Sequence, residues 1–480
     1  MKTLENTEES FTLSPYSFNP TVLREYDIRG IVGETLSEQD AFYIGAGFGS
    51  ELIENGKKSV CIGYDGRHTS EAFSSALIQG LRSVGCNVTL LGLGPTPMTY
   101  FALKDRFFDG AIMVTGSHNP SNYNGFKLSL QSAPFYGEAI QNLGQRVADG
   151  NFTQDAALGE LQQLDIKEDY IERLLADLKW QEGKTMKIAW DNGNGAGGEI
   201  LQELVKYLPG EHILLYDDID GDFPNHHPDP TVDRNLADLI KTVKDNDCDF
   251  GIAFDGDGDR IGAVDEKGNI LRCDRLLTLY AQEITQNYPH APIIGDVKCS
   301  QVMFDEINRL GGTAVMWNTG HSLVKAKMAE LKAPLAGELS GHIFFADHYY
   351  GFDDALYCAI RLLNIFGASN QTLSERLAHL PELCSSPEIR IDVPEDIKMS
   401  IPQQIKEKLE AIQKEQEFEL ITIDGVRVVT TDGWWLLRAS NTQNCLVVRL
   451  EAQDKNGMNT LKDMLKSQLS AFDVDLSALD

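Results

Sequence analysis

"SVCIGYDGRHTSEAFSSALIQGLRSVGCNVTLLG", residues 59–92, reads as strand, amphipathic helix, strand. "SVCIGYD" (59–65) and "NVTLLG" (87–92) are short apolar runs, whereas apolar residues in "SEAFSSALIQGLRSVG" (70–85) recur at helical spacing. "MTYFALKD" adds a short helix, and "GAIMVT" (110–115) another strand. The order then recurs. "KIAWDNGNG", "HILLYD" and "DFGIAFDGDGDR" make a second pass, and "PIIGDVKCS", "TAVMWNTGHS" and "APLAGELSGHIFF" a third. Their spacings differ, so the repeat is one of structure. Alternating strands and helices predict βαβ units around mostly parallel sheets, in which ligands gather at the carboxyl ends of strands. Each pass ends there in an unusual polar loop.

After about residue 384 the pattern changes. "LITIDGVRVVTTDGWWLLRAS" places two Asp-Gly pairs between alternating apolar positions, a hairpin signal, and "NTLKDMLKSQLSAF" reads as a helix. The expected architecture is three similar α/β domains with mixed, mostly parallel sheets and a C-terminal α+β domain around a central cleft. The boundaries fall at 1–162, 163–269, 270–383 and 384–480.

With 480 residues, 42% hydrophobic and 24% charged, the chain has the composition of a folded multidomain protein. Its net charge of −30 argues against nucleic acid or an anionic membrane as partner. An anionic substrate would need basic residues gathered locally against that field. The eight cysteines are scattered without zinc-type spacing and read as reduced, mostly buried thiols. "MKTLENTEES" lacks the pattern of a signal peptide, and no apolar run is long enough to span a bilayer. The expected location is the cytoplasm.

"DGDGDR" (255–260) offers Asp255, Asp257 and Asp259 at alternate positions. In extended backbone they would point to one side, and hard oxygen ligands suit Mg²⁺ or Ca²⁺. Glu266 stands where the last ligand of an EF-hand would, but Arg260 occupies the position that needs glycine, and the flanks read as strands. A solvated acidic turn fits poorly with the apolar residues on either side. Mg²⁺ with positions left for a phosphate oxygen is the better reading, with Arg260 beside it as a bidentate donor. Ser117, in "TGSHNPSNYNGFK" (115–127), is a turn residue, a nucleophile or the carrier of a covalent group. A phosphorylated serine would complete such a metal shell.

"TGSHNPSNYNGFK", "DGDGDR", "GELSGH" and "RASNTQNCLVVRLEA" occur in that order and together resemble the four active-site loops of the α-D-phosphohexomutases, in particular the bacterial phosphomannomutase/phosphoglucomutase group. "LREYDIRG" (23–30), "GYDGRHTS" (63–70), "GDFPNHHPDP" (221–230) and "TGHSLVK" (319–325) agree, and the likeness runs from about residue 20 to the end. It implies that Ser117 carries a phosphoryl group and binds Mg²⁺ together with Asp255, Asp257 and Asp259. Arg260 and Lys127 would stabilise the transferring group. His118, Lys127, His342 and Arg29 are the candidates for proton transfer; a lysine serves as a base only if its pKa is depressed, for instance by Arg260. Glu338 and Ser340 would hold sugar hydroxyls. Arg438, Ser440, Asn441 and Thr442 would cradle the phosphate that is not reacting, and Arg24, Tyr26, Lys298, His321, His342 and Arg449 would complete the substrate site. Leu339 replaces the methionine often found in that loop, a swap of similar volume. Asn444 replaces a usual proline, which would loosen the phosphate loop.

The implied activity is interconversion of hexose 1-phosphate and 6-phosphate, mannose and glucose, by an isomerase-class intramolecular phosphotransferase. Hexose 1,6-bisphosphate would be both intermediate and activator, and the enzyme a monomer or weak homo-oligomer. Two alternatives are a phosphoglucosamine mutase, from which "GELSGH" leans away, and a catalytically silent sugar-phosphate sensor, which an intact Ser117, three aspartates and Arg260 oppose.

Overall fold

The computed structural model describes residues 2, 3, 13–131, 133–153, 157–181, 183–413, 418–441 and 443–479. In the first unit, strand Ser59–Tyr64 lies between Asn87–Leu93 and Gly110–Val114, parallel to both. Tyr123–Leu130 then returns antiparallel to Gly110–Val114, setting Lys127 opposite Met113. The second unit repeats this order: Lys187–Asp191 sits between Glu211–Leu215 and Phe250–Phe254, and Ile261–Asp265 returns. In the third, Pro292–Asp296 sits between Thr313–Trp317 and Leu335–Gly337, and Ile343–Phe345 returns. The third parallel strand of each unit thus turns back through a hairpin loop at the edge where α/β sheets bind ligands. Those three hairpin loops hold Ser117, the three aspartates and Glu338.

Local chemistry explains the elements. Gly110–Val114 and Phe250–Phe254 are buried at every position, so they read as unbroken apolar runs. Helix Ser70–Ser83 buries Phe73, Leu77, Ile78 and Leu81 on one face. Helix Glu38–Glu54 packs against it and starts at a capping box formed by Ser37 and Asp40.

The last unit is a wholly antiparallel sheet containing Val426–Thr430, Gly433–Ala439 and Cys445–Ala452, covered by helices Ser400–Ile412 and Lys455–Leu469. Both Asp-Gly glycines adopt positive φ, +75° at Gly425 and +141° at Gly433. One apolar core runs through the first three units, from Phe101 through Trp190 and Phe250 to Phe345 and Leu356. The fourth has a core of its own around Trp435, Leu446 and Leu461. It joins the third unit through Arg427, which lies over the Trp434 ring and donates to the carbonyls of Val297 (2.7 Å) and Cys299 (3.0 Å). All eight cysteines are free, seven of them buried. No helix among the described residues is long and apolar enough to cross a membrane.

Candidate active site

Ser117 follows strand Gly110–Val114 by three residues and has φ +51°, an unusual conformation for a residue other than glycine. Buried Arg67 holds it there. Its guanidinium donates to the carbonyls of Ser117 (2.8 Å), Asn119 (2.5 Å), Pro120 (2.6 Å) and Tyr123 (2.9 Å). Asp65 fixes that guanidinium at 3.2 Å and accepts from the Thr115 hydroxyl at 2.7 Å. The Ser117 Oγ lies 3.2 Å from His118 Nδ1 and 3.2 Å from Asp255 Oδ2. Burial, reinforced by Arg260 and Arg29, pushes the His118 imidazole well below its ordinary pKa and favours the neutral ring.

The three aspartates converge by a different route from the extended backbone expected. Residues 255–258 form a turn, closed by the Gly258 N–H donating to the Asp255 carbonyl at 3.1 Å, with Gly258 at φ +73°. A side chain at Gly256 would come within 2.5 Å of the Ser117 carbonyl, so glycine there lets the two loops meet. Asp255 Oδ1 accepts from the N–H groups of Asp259 and Arg260, both at 3.1 Å, which leaves Oδ2 facing Ser117. Oxygens of all three carboxylates lie within 4.8 Å of one another, and the groups are almost completely buried. Asp257 Oδ1 and Asp259 Oδ1 are buried and receive no hydrogen bond from the described residues. Oxygens left without donors in so crowded an anionic cluster suit a hard cation.

Lys127 Nζ donates to Asp257 Oδ2 at 2.6 Å and also to Asp259 Oδ2. Burial alone would lower its pKa, but Asp257 and Asp259 outweigh it and hold the ammonium well above its ordinary value. The depression by Arg260 considered from sequence is therefore reversed. Burial, with Asp257 and Asp259 nearby, pushes the Asp255 carboxyl well up. Asp257 is held low, because Lys127 and the Thr96 hydroxyl overcome its burial.

On the third unit, Arg260 Nε donates to His342 Nε2 at 3.0 Å, while His342 Nδ1 lies 3.0 Å from Asp353 Oδ2. Lys325 donates to the other Asp353 oxygen at 3.0 Å, and the His321 ring stacks on His342. Glu338 accepts from the Gly320 N–H at 2.6 Å, and its burial raises its pKa. Tyr26, from the first unit, donates its hydroxyl to the Thr319 carbonyl at 2.7 Å and accepts from Asn441 of the fourth. Lys298 pairs with Glu388 at 3.1 Å, Arg438 with Asp424 at 3.0 Å, and Arg29 donates to Asn119 at 2.8 Å. Arg449 donates to the Lys298 carbonyl.

Most of these side chains, though not Lys325, Asp353 or Asp424, surround a cavity of about 660 Å³, which Arg24, Ser340 and Ser440 also line. Ten arginines and lysines face it against five carboxylates, the local reversal of charge that an anionic ligand requires of so acidic a chain. The aspartate trio lies behind Ser117 rather than in the cavity wall. Thr442 lies outside the described residues. Asn444 is exposed and accepts from the Val393 N–H through its carbonyl, a bond that proline would also make. Sequence reasoning missed Arg67, Thr96, Lys325 and Asp353 as partners of the site; of these, only Arg67 and Lys325 fell within stretches it had singled out.

The phosphoglucomutase/phosphomannomutase family matches in all four of its parts: alpha/beta/alpha domain I at residues 20–154, domain II at 168–268, domain III at 272–384 and the C-terminal domain at 388–468. A phosphomannomutase/phosphoglucomutase of Pseudomonas putida is 42% identical, the match covering 97% of this chain and 98% of the relative. A phosphoglucomutase of Neisseria meningitidis is 41% identical, with 94% and 97% covered. Among solved structures, a phosphoglucomutase/phosphomannomutase family protein of Burkholderia thailandensis superimposes with a TM-score of 0.88 at 41% identity, covering 95% of this chain and 98% of that one.

Proposed function

The chain belongs to the phosphoglucomutase/phosphomannomutase family and is a phosphohexomutase of the isomerase class, and from that premise we propose how its residues divide the work. Ser117 carries a phosphoryl group. A hydroxyl at one end of a bound hexose phosphate attacks the phosphorus, the bond to Ser117 Oγ breaks, and hexose 1,6-bisphosphate forms. The attacking hydroxyl loses a proton and the serine oxygen gains one, with His118, Arg29 and His342 as the groups at hand and Lys127, held as an ammonium by Asp257 and Asp259, as a donor only. The bisphosphate turns end for end and returns its other phosphoryl group to Ser117. Asp255, Asp257 and Asp259 would hold Mg²⁺ with the phosphoserine; when bound, the ion neutralises charge on the phosphoryl oxygens.

Arg438, Ser440, Asn441 and Thr442, with Arg24, Lys298 and Arg449, cradle the distal phosphate, and Tyr26 and His321 complete the wall. Glu338 and Ser340 hold the sugar hydroxyls. The observation that carries this reading is Ser117 Oγ set 3.2 Å from one of three buried aspartates at the floor of a basic cavity. We also assign the four units to residues 1–162, 163–269, 270–383 and 384–480. The fourth, with its own core, would close over the ligand and exclude water. The free thiols fit a cytoplasmic location, and we assign the chain as a monomer or weak homo-oligomer.

A coupled assay with glucose 1-phosphate and mannose 1-phosphate tests the reading. These sugars differ only at carbon 2, while Glu338 and Ser340 are assigned to the hydroxyls at carbons 3 and 4, near the pivot of the reorientation. A tight contact at carbon 2 would have no equivalent after the turn. The two kcat/KM values are therefore expected within about tenfold, about 1.4 kcal/mol, and Glu338→Ala should weaken both alike. A wild-type preference above about a thousandfold would mean that another residue reads carbon 2.

A further inference from the structure

A second cavity, of about 790 Å³, lies between the first and third units and shares no lining residue with the basic one. Its walls are apolar: Leu130, Pro134, Pro289, Pro334 and Met328 contribute, with the rings of Tyr100, Tyr350 and Phe352. Tyr350 stacks on Phe352 with rings 3° from parallel, and both it and Tyr288 leave 37% of their surface exposed. Two partly exposed rings at a concave, mostly apolar site suit a flat ligand.

Basic side chains prevail around this cavity. Lys104, Lys325 and Lys332 line it, and the one carboxylate among the described lining residues, Asp347, is taken up by Arg361 at 2.8 Å. Lys104 Nζ donates to the Gln131 carbonyl at 2.5 Å and pairs with no carboxylate among the described residues. A cluster of cations on a chain of net charge −30 favours an anion. Among the described lining residues, hydroxyl and amide side chains are limited to Ser129, Asn287 and the tyrosines, which disfavours a sugar.

The back wall touches the chemistry. Lys325 Nζ lies 4.6 Å from the centre of the Tyr100 ring and 3.0 Å from Asp353, whose other oxygen faces His342. We propose that this crevice is a second ligand site that takes a small aromatic anion, a planar ring bearing one carboxylate or sulfonate. Its occupancy alters turnover through Lys325, Asp353 and His342. The rings and prolines clasp the aromatic body, Lys104 meets the anionic group at the mouth, and the ligand bridges two units whose relative placement shapes the active cleft. The same Lys325 that holds Asp353 in place then answers to a second charge.

The test uses 8-anilinonaphthalene-1-sulfonate as probe, with the full chain saturated in glucose 1,6-bisphosphate. Fluorescence should show saturable binding of one probe per chain. Ala329→Trp, which fills the cavity from an exposed helical position, and Lys104→Met, which removes the mouth charge, should each weaken binding at least about tenfold. Bound probe should change wild-type turnover by about fivefold or more, and Ala329→Trp should abolish that response. Four results would each overturn the proposal: no saturable binding, displacement by the bisphosphate, indifference to Ala329→Trp, or binding that leaves turnover unchanged. The fluorescence arm does not depend on the assigned activity, so its failure is separable from failure of the mutase reading.

Discussion

Ser117→Ala is expected to lose hexose-phosphate turnover by about 10⁴-fold or more while keeping its fold. The hydroxyl is the only group removed, and its two contacts, both at 3.2 Å, are long for hydrogen bonds involving oxygen. Arg67 and Asp65 hold the loop through backbone atoms, which the substitution does not touch. A second variant sharpens the test. At φ +51° a serine is held in a conformation that costs roughly 1 kcal/mol or more and that glycine adopts freely. Ser117→Gly should therefore be as inactive as alanine yet melt slightly higher than alanine does. Intact mass should show one phosphate on wild type and none on either variant. Turnover within tenfold of wild type, or phosphate persisting on the alanine form, would remove Ser117 from its role.

Asp257→Asn should lower turnover on the order of a hundredfold or more and raise the Mg²⁺ concentration needed for half-activation. The amide keeps the shape of the carboxylate but removes one of three ligand charges. It also turns a donor group toward either Lys127 or the position the cation would take. Buried Lys127 would keep only Asp259 as a close carboxylate partner, so its placement should loosen as well. A Mg²⁺ titration of wild type and variant reads both effects. Superimposable activation curves would sink the assignment of these carboxylates to the metal.

The sequence made legible whatever depends on neighbours along the chain. "GAIMV" is apolar at every position because parallel strands covered on both faces bury every side chain. Ser117 and the three aspartates stood out because their loops interrupt such strands with polar residues. What was hidden depends on contacts across the chain. Arg67 reaches carbonyls about fifty residues away, Lys127 meets aspartates about 130 residues on, and Asp353 supports His342 from a stretch with no pattern of its own. The charge on Lys127 illustrates the difficulty. Its neighbours in sequence suggest nothing, its burial alone would predict a weak base, and only the aspartates from another unit reverse that. The turn at residues 255–258 was misread for a local reason, since alternate spacing fits a strand and a tight turn equally well.

The Tyr26 hydroxyl bears on how faithfully each catalytic round is completed. It receives a bond from the fourth unit and gives one to the third, so a single oxygen of the first unit fastens the cleft across three bodies. In the proposed cycle, a bisphosphate that left during its half-turn would strand an enzyme without phosphate on Ser117, and its escape would follow how often that clasp opens. Tyr26→Phe removes the oxygen and little else. The variant should form the intermediate at close to the normal rate yet stall after fewer rounds, recovering when glucose 1,6-bisphosphate is supplied in excess. Processivity would then rest on one phenol, and an unchanged requirement for added bisphosphate would show that the clasp lies elsewhere.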